Sequence, residues 1–115
     1  MSLILVLEKK RNVALIVNKI LKKQEHTGYF VTKRKRLVEV LKEDIGKFKS
    51  VIIVDDNLDK VTLKDYIDTI KRWLKYKGDV YFMSSNFNKL WEAQNMGYLC
   101  IEESFKDLAE YAKSK

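Results

Sequence analysis

Ser50-Val51-Ile52-Ile53-Val54-Asp55-Asp56-Asn57 opens as an apolar, β-branched run and breaks onto acids and an amide. A short apolar stretch without alternation marks a strand covered on both faces. Val51 to Val54 is the most apolar such run, so it is expected at the centre of a sheet. Working outward, each of the four glycines of the chain stands shortly before a strand-like run. Gly28 precedes Tyr29 to Thr32, Gly46 precedes the central run, Gly78 precedes Val80 to Met83, and Gly97 precedes Tyr98 to Ile101. Glycine takes positive φ without a Cβ clash, so each reads as the residue just past a helix end. With the apolar run Leu3 to Leu7 at the start, this spells β-α five times. Such alternation predicts an α/β fold: a doubly wound, five-stranded parallel sheet with helices on both faces, in one domain over residues 1–115.

The intervening segments carry helical periodicity. Val13, Ile16, Val17, Ile20 and Leu21 share one face, as do Leu37, Val38, Leu41 and Ile45. Leu63, Tyr66, Ile67, Ile70, Trp73 and Leu74 form the clearest stripe, with Thr62 placed to cap its start and Asp65 three residues on. A short helix is expected over Asn88 to Asn95, and a last one groups Phe105, Leu108, Ala109 and Ala112. Met96 and Cys100 read as core filling, and Trp73 and Trp91 as core or rim anchors.

Composition narrows the function. No apolar run approaches the roughly 20 residues that span a bilayer, and no signal-peptide pattern opens the chain, so a soluble, cytoplasmic protein without a membrane partner is expected. The single Cys100 cannot form an internal disulfide. The single His26 falls in a polar loop with no Cys or His beside it, which argues against a metal or catalytic role. Zinc spacing, a phosphate-binding loop and GxSxG are absent from the sequence, so an enzyme is not expected. The net charge of +7 favours acidic partners, although much of the lysine is spread along solvated helix faces.

In an open parallel sheet, sites form beyond the carboxyl ends of the strands. That edge holds Glu8 followed by Lys9, Lys10 and Arg11; Lys33, Arg34, Lys35 and Arg36; Asp55, Asp56, Asn57 and Asp59; Ser84, Ser85 and Asn86; and Glu102 with Glu103. Taken alone, Asp55 to Asp59 also reads as a solvated turn, Ser84 as a cap of helix four, and Lys33 to Arg36 as an exposed first helical turn.

These residues resemble a response-regulator receiver domain. Ile53-Val54-Asp55-Asp56-Asn57-Leu58-Asp59 is similar to the receiver strand that ends in the phosphoacceptor aspartate, with Asp55 in that place. Phe82-Met83-Ser84-Ser85 is similar to the fourth strand, with Ser84 at the switch Thr/Ser position. Met96-Gly97-Tyr98-Leu99 resembles the fifth-strand segment, with Tyr98 at the aromatic switch position. The resemblance implies a flavodoxin-like sheet of order 2-1-3-4-5 and a role in two-component signalling. It also implies a protein partner, a kinase or a downstream effector, met through helix four, strand five and helix five. A homodimer is the other form this contact would take, with Trp91, Tyr98 and Tyr111 as its candidate residues.

The departures are specific. Receivers bear two adjacent acids after strand one to hold Mg²⁺, and here the pair is Glu8-Lys9; where receivers bear a Lys-Pro pair after strand five, Ile101-Glu102 stands, or Glu102-Glu103 in a shifted register. Phosphoryl transfer relies on charge neutralisation and positioning, and Mg²⁺ demands oxygen ligands. The resemblance therefore implies a metal site at Glu8 and Asp55 that Lys9 weakens, with Lys9 free to pair with Asp55 instead. The expectation is a pseudo-receiver whose Mg²⁺-dependent phosphorylation is weakened or lost. Two readings compete with it. One is a phosphorylation-competent receiver with Asp55 as acceptor. The other is a basic nucleic-acid-binding α/β protein using Lys9, Lys10, Arg11 and Lys33 to Arg36, which lacks interleaved aromatics and a sequence-reading helix. A metal-dependent nuclease or topoisomerase-like fold ranks last, because Asp55-Asp56-Asn57 does not supply Asp-x-Asp.

Overall fold

In the computed structural model, which describes residues 2–55 and 62–115, the apolar runs become the strands of one sheet. The elements are β1 (Ser2–Leu7), α1 (Arg11–Lys23), β2 (His26–Val31), α2 (Arg34–Glu43), β3 (Ser50–Val54), α3 (Leu63–Ile67, continuing as a π-helix over Asp68–Trp73), β4 (Asp79–Ser84), α4 (Phe87–Asn95), β5 (Leu99–Glu102) and α5 (Phe105–Ser114). The order is β2-β1-β3-β4-β5, with every pairing parallel. The expected doubly wound α/β sheet is the observed one.

Strand residues alternate between two apolar layers because successive side chains point to opposite faces. Leu5, Leu7, Val51 and Ile53 pack with Leu37, Leu41, Tyr66 and Ile70 on one face. Ile4, Val6, Ile52 and Val54 pack with Val17, Ile20, Leu21, Leu108 and Tyr111 on the other. All five residues of β3 are buried, which explains its unbroken apolar composition. Phe82 packs separately with Leu90 and Ala93, and this contact seats α4.

Helix starts follow local chemistry. Thr62 accepts from the Asp65 amide at 3.2 Å, Asn86 from Lys89 at 3.2 Å and Ser104 from Asp107 at 3.2 Å. The helix ends differ from the glycine reading. Of the four glycines only Gly97 has positive φ, at 83°. It closes α4 in a Schellman arrangement, with Gly97 N–H on the Gln94 carbonyl and Tyr98 N–H on the Ala93 carbonyl. Glu25 (φ 62°) and Lys75 (φ 58°) take left-handed positions after α1 and after the π-helix. Gly28 lies inside β2, where a Cβ would stand 2.5 Å from the Phe30 ring. Gly78 answers to space as well, since a Cβ there would press on the Tyr76 hydroxyl and lie 2.8 Å from the Lys49 carbonyl.

Several expected core residues are on the surface. Ile16 and Ile45 are exposed, and so are Trp73 (78%), Trp91 and Met96. For Trp73 the cause is winding. Leu74 N–H bonds to the Thr69 carbonyl, an i→i+5 pairing that turns the chain less per residue, so Trp73 falls short of the face that Ile70 holds. His26 lies not in a loop but at the start of β2, buried, with Nε2 2.8 Å from the Ala112 carbonyl oxygen. Cys100 is half-buried, and burial pushes its thiol pKa up.

Two tyrosines close the core near the strand starts. The Tyr76 hydroxyl donates to the Phe48 carbonyl at 2.8 Å, and the buried Tyr111 hydroxyl pairs with Ser50. Burial pushes the Tyr76 pKa up to about 12, and it raises Tyr111 as well. Both are harder to ionise folded than unfolded, where tyrosine titrates near about 10. Their stabilisation is fully present below that pH and is lost as pH rises from about 10 towards 12. Thermal melts over this window are expected to show a falling Tm; a flat profile would contradict the assignment.

Candidate functional site

Asp55 follows the last residue of β3, at the edge where the parallel strands end. Its side chain is only 13% exposed. The β3–β4 register, which pairs Val54 with Met83, sets the next residue of each strand side by side. Ser84, fully buried at the end of β4, donates to Asp55 Oδ2 at 3.0 Å and accepts from the Asn86 amide at 3.0 Å. Asn86, not Ser84, is the cap of α4. The capped first turn carries Lys89, whose Nζ reaches back to Asp55 Oδ1 at 3.0 Å and Oδ2 at 3.2 Å. Both carboxylate oxygens are thereby engaged, one of them twice, and the aspartate ties the end of β3 to β4 and α4.

The sequence points to Lys9 as the cation against Asp55; the structure puts Lys89 there. Its signal lay in Asn86-x-x-Lys89, a cap followed by a cation in the first turn, combined with the adjacency of β3 and β4. Without the strand order, a lysine 34 residues from Asp55 has no claim on it.

The other expected residues disperse. Glu8 is buried at the end of β1, its Oε1 accepting from the Lys10 amide at 2.8 Å. Glu102 lies beside Ser84 in the β4–β5 register, so an acid stands next to that hydroxyl at the end of β5. Its amide donates to Asp107 at 3.1 Å. Tyr98 is half-buried just before β5, packed on the Phe82–Leu90–Ala93 cluster at the opposite end of the strand from Glu102. Tyr111 is buried against Tyr81 at 4.8 Å between ring centroids, which removes it from any contact surface. Asp56, Asn57 and Asp59 lie outside the described residues.

The basic residues do not act as one free patch. Arg34 donates to Thr69 and stacks over Tyr66, while Arg36 bonds Tyr29 and pairs with Glu43. Lys9, Lys10, Arg11, Lys33 and Lys35 are exposed.

A divalent ion finds a poor donor set here. Mg²⁺ seeks several oxygens in octahedral array. Among the described residues no group of three His, Cys, Asp or Glu side chains could hold a metal. Of the two carboxylates the resemblance assigns to the ion, Glu8 spends Oε1 on an amide and Asp55 faces an ammonium. The described residues therefore do not fit the ion.

Solved structures with this architecture are numerous. A receiver domain protein from Clostridium thermocellum superposes with a TM-score of 0.77 at 13% identity, covering 99% of this chain and 95% of that one. The chain has the fold of a response-regulator receiver. A response regulator in red-light signalling of R. palustris gives 0.74 at 13% identity, covering 99% and 90%. The Mn(2+)-bound response regulator Rcp1 gives 0.68 at 18%, covering 99% and 91%. No family model and no curated protein matches the sequence. The receiver fold places Asp55 and Ser84 at the site edge of the sheet, and among the described residues no helix is long and apolar enough to cross a membrane.

The receiver fold also leaves a groove of about 520 Å³ between α4 and the β5–α5 edge, lined by Phe87, Leu90, Trp91, Cys100, Glu102 and Asp107. Phe87 and Trp91 are 71% and 66% exposed at its rim.

Proposed function

We propose that this chain is a receiver-type module of two-component signalling that works by binding a protein, with an acidic pocket taken over by an internal ion pair. The observation that carries this reading is Asp55 held by Lys89 and Ser84 together. A phosphoryl donor needs a free carboxylate oxygen and a divalent ion beside it. Here an ammonium sits on the carboxylate, and the end of β5 beside Ser84 carries the acid Glu102. The same pair gives the pocket a different use: it fastens α4, whose exposed Phe87 and Trp91 front the groove. Exposed aromatics over a partly acidic floor suit a protein partner that brings an apolar side chain with a cation beside it.

A second reading, a phosphorylation-competent receiver, draws on the same contacts. Ser84 and Lys89 already supply a hydroxyl and a cation to Asp55. One experiment separates the two. Incubation with acetyl phosphate and MgCl₂, read by intact mass and peptide mapping, is expected to leave Asp55 unmodified. Stoichiometric aspartyl phosphate at Asp55 would establish the second reading. Sedimentation of wild type against Phe87→Ala and Trp91→Ala then asks whether the partner is a second copy: association that weakens in both variants says so, and a monomer directs the search to a different protein.

A further inference from the structure

The edge opposite Asp55 gathers the helix ends and the strand starts, because every strand of a parallel sheet is entered from the same side. There Lys71-Arg72-Trp73-Leu74-Lys75-Tyr76-Lys77 carries four cations and no acid. Lys71, Arg72, Trp73, Lys75 and Lys77 are all exposed. The segment lies against the turn before β3: Tyr76 bonds to the Phe48 carbonyl, and Gly78 approaches the Lys49 carbonyl. That turn adds exposed Lys47 and Lys49. Among the described residues none of these six cations pairs with an Asp or Glu side chain, and Lys49 donates to the main-chain oxygen of Lys115. Lys71 donates to the Gly78 carbonyl at 2.6 Å, which holds the chain without cancelling its charge. The acids nearby in sequence are Glu43, paired with Arg36, Asp68, paired with Lys64, Asp79, paired with Lys115, and the exposed Asp44.

Trp73 stands out of this cationic ground at 78% exposure, turned outward by the π-helix, and Met96 at the end of α4 is a second exposed apolar side chain on the same edge. A π-helical turn weakens local winding and recurs at functional sites. An indole has an apolar body and a polar N–H, which suits the headgroup level of a bilayer. Stacking of nucleic-acid bases calls instead for a groove that tracks the strand between rings. Here a single ring protrudes, and lysine, a point charge, outnumbers arginine, whose planar fork reads phosphates in pairs.

We propose that this edge docks on an anionic membrane surface, with Trp73 entering the headgroup layer and Lys47, Lys49, Lys71, Arg72, Lys75 and Lys77 over acidic lipids. Peripheral docking of this kind needs no spanning segment, so it departs from the sequence expectation of no membrane contact without contradicting the absence of a spanning helix among the described residues. It uses none of the residues of the Asp55 pocket and stands independently of the function proposed for it.

The test is flotation of the full chain with phosphatidylcholine vesicles containing or lacking phosphatidylserine, at low and high salt. Wild type is expected to float with the acidic vesicles alone, and to be released by salt. The double variant Lys75→Glu/Lys77→Glu should partition more than tenfold less, at about fivefold per charge removed. Trp73→Ala should also weaken flotation; all three positions are exposed, and circular dichroism checks that the variants fold. In a Trp91→Phe background, which leaves Trp73 as the sole tryptophan, emission should shift to the blue on binding. Absence of flotation, or equal flotation by wild type and these variants, overturns the proposal. So does salt-sensitive binding of an RNA or DNA oligonucleotide with quenching of Trp73 in place of vesicle binding.

Discussion

Lys89→Ala should raise the Mg²⁺ affinity of this chain about tenfold over wild type. The Lys89 ammonium lies 3.0 Å from Asp55 Oδ1, where an incoming divalent ion would be repelled. Two unit charges at 4 Å interact by about 4 kcal/mol at an effective dielectric near 20. The lysine side chain is 54% exposed and can swing aside, so only about 1–2 kcal/mol of that is expected to survive. Calorimetric titration of wild type, Lys89→Ala and Lys89→Ala/Asp55→Asn reads the effect. The gain should appear in the single variant and vanish in the double. Equal affinities in wild type and Lys89→Ala would mean that this ion pair is not what excludes the metal. The variant should still resist acetyl phosphate, because it loses a cation from the carboxylate while Glu102 stays beside Ser84.

Ile53→Ala should cost about 2–5 kcal/mol, the range for emptying a buried isoleucine site, and lower Tm by roughly 10–20 °C. Ile53 is fully buried in the central strand, between β1 and β4, and packs with the α2–α3 layer. Neighbours on a close-packed sheet relax little, so the lost methyls leave a cavity. Ile53→Val, at about 0.5–1.5 kcal/mol, provides the graded control. Both are measured by denaturant unfolding. A loss below about 1 kcal/mol for Ile53→Ala would contradict the central place of β3. Ile53 lies two residues before Asp55, so loosening it also loosens the strand end that meets Ser84 and Lys89.

Much of the fold was legible because the signals that fix it are local. The unbroken Val51 to Val54 run announces a strand covered on both faces, and all of it is buried. Thr62 with Asp65 announces a cap, and the capping bond is there. In the site, Asp55 and Ser84 were found from the ends of their strands, and they do meet. The glycine reading succeeded only at Gly97, because a glycine records either a positive φ or a lack of space, and the sequence does not say which.

The chain by itself determined which residues make strands and helices, since periodicity is a property of neighbours along the backbone. Only the tertiary structure decided which cation sits on Asp55. That choice depends on β3 and β4 lying side by side and on a first helical turn aimed back across them, so Lys89 and not Lys9 meets the carboxylate. It decided Trp73 too. Helical spacing puts that residue on the buried stripe, but the i→i+5 turn, with Tyr76 tied to the Phe48 carbonyl beyond it, leaves the indole in water. Periodicity counts residues per turn, and contacts from elsewhere in the fold can change that number.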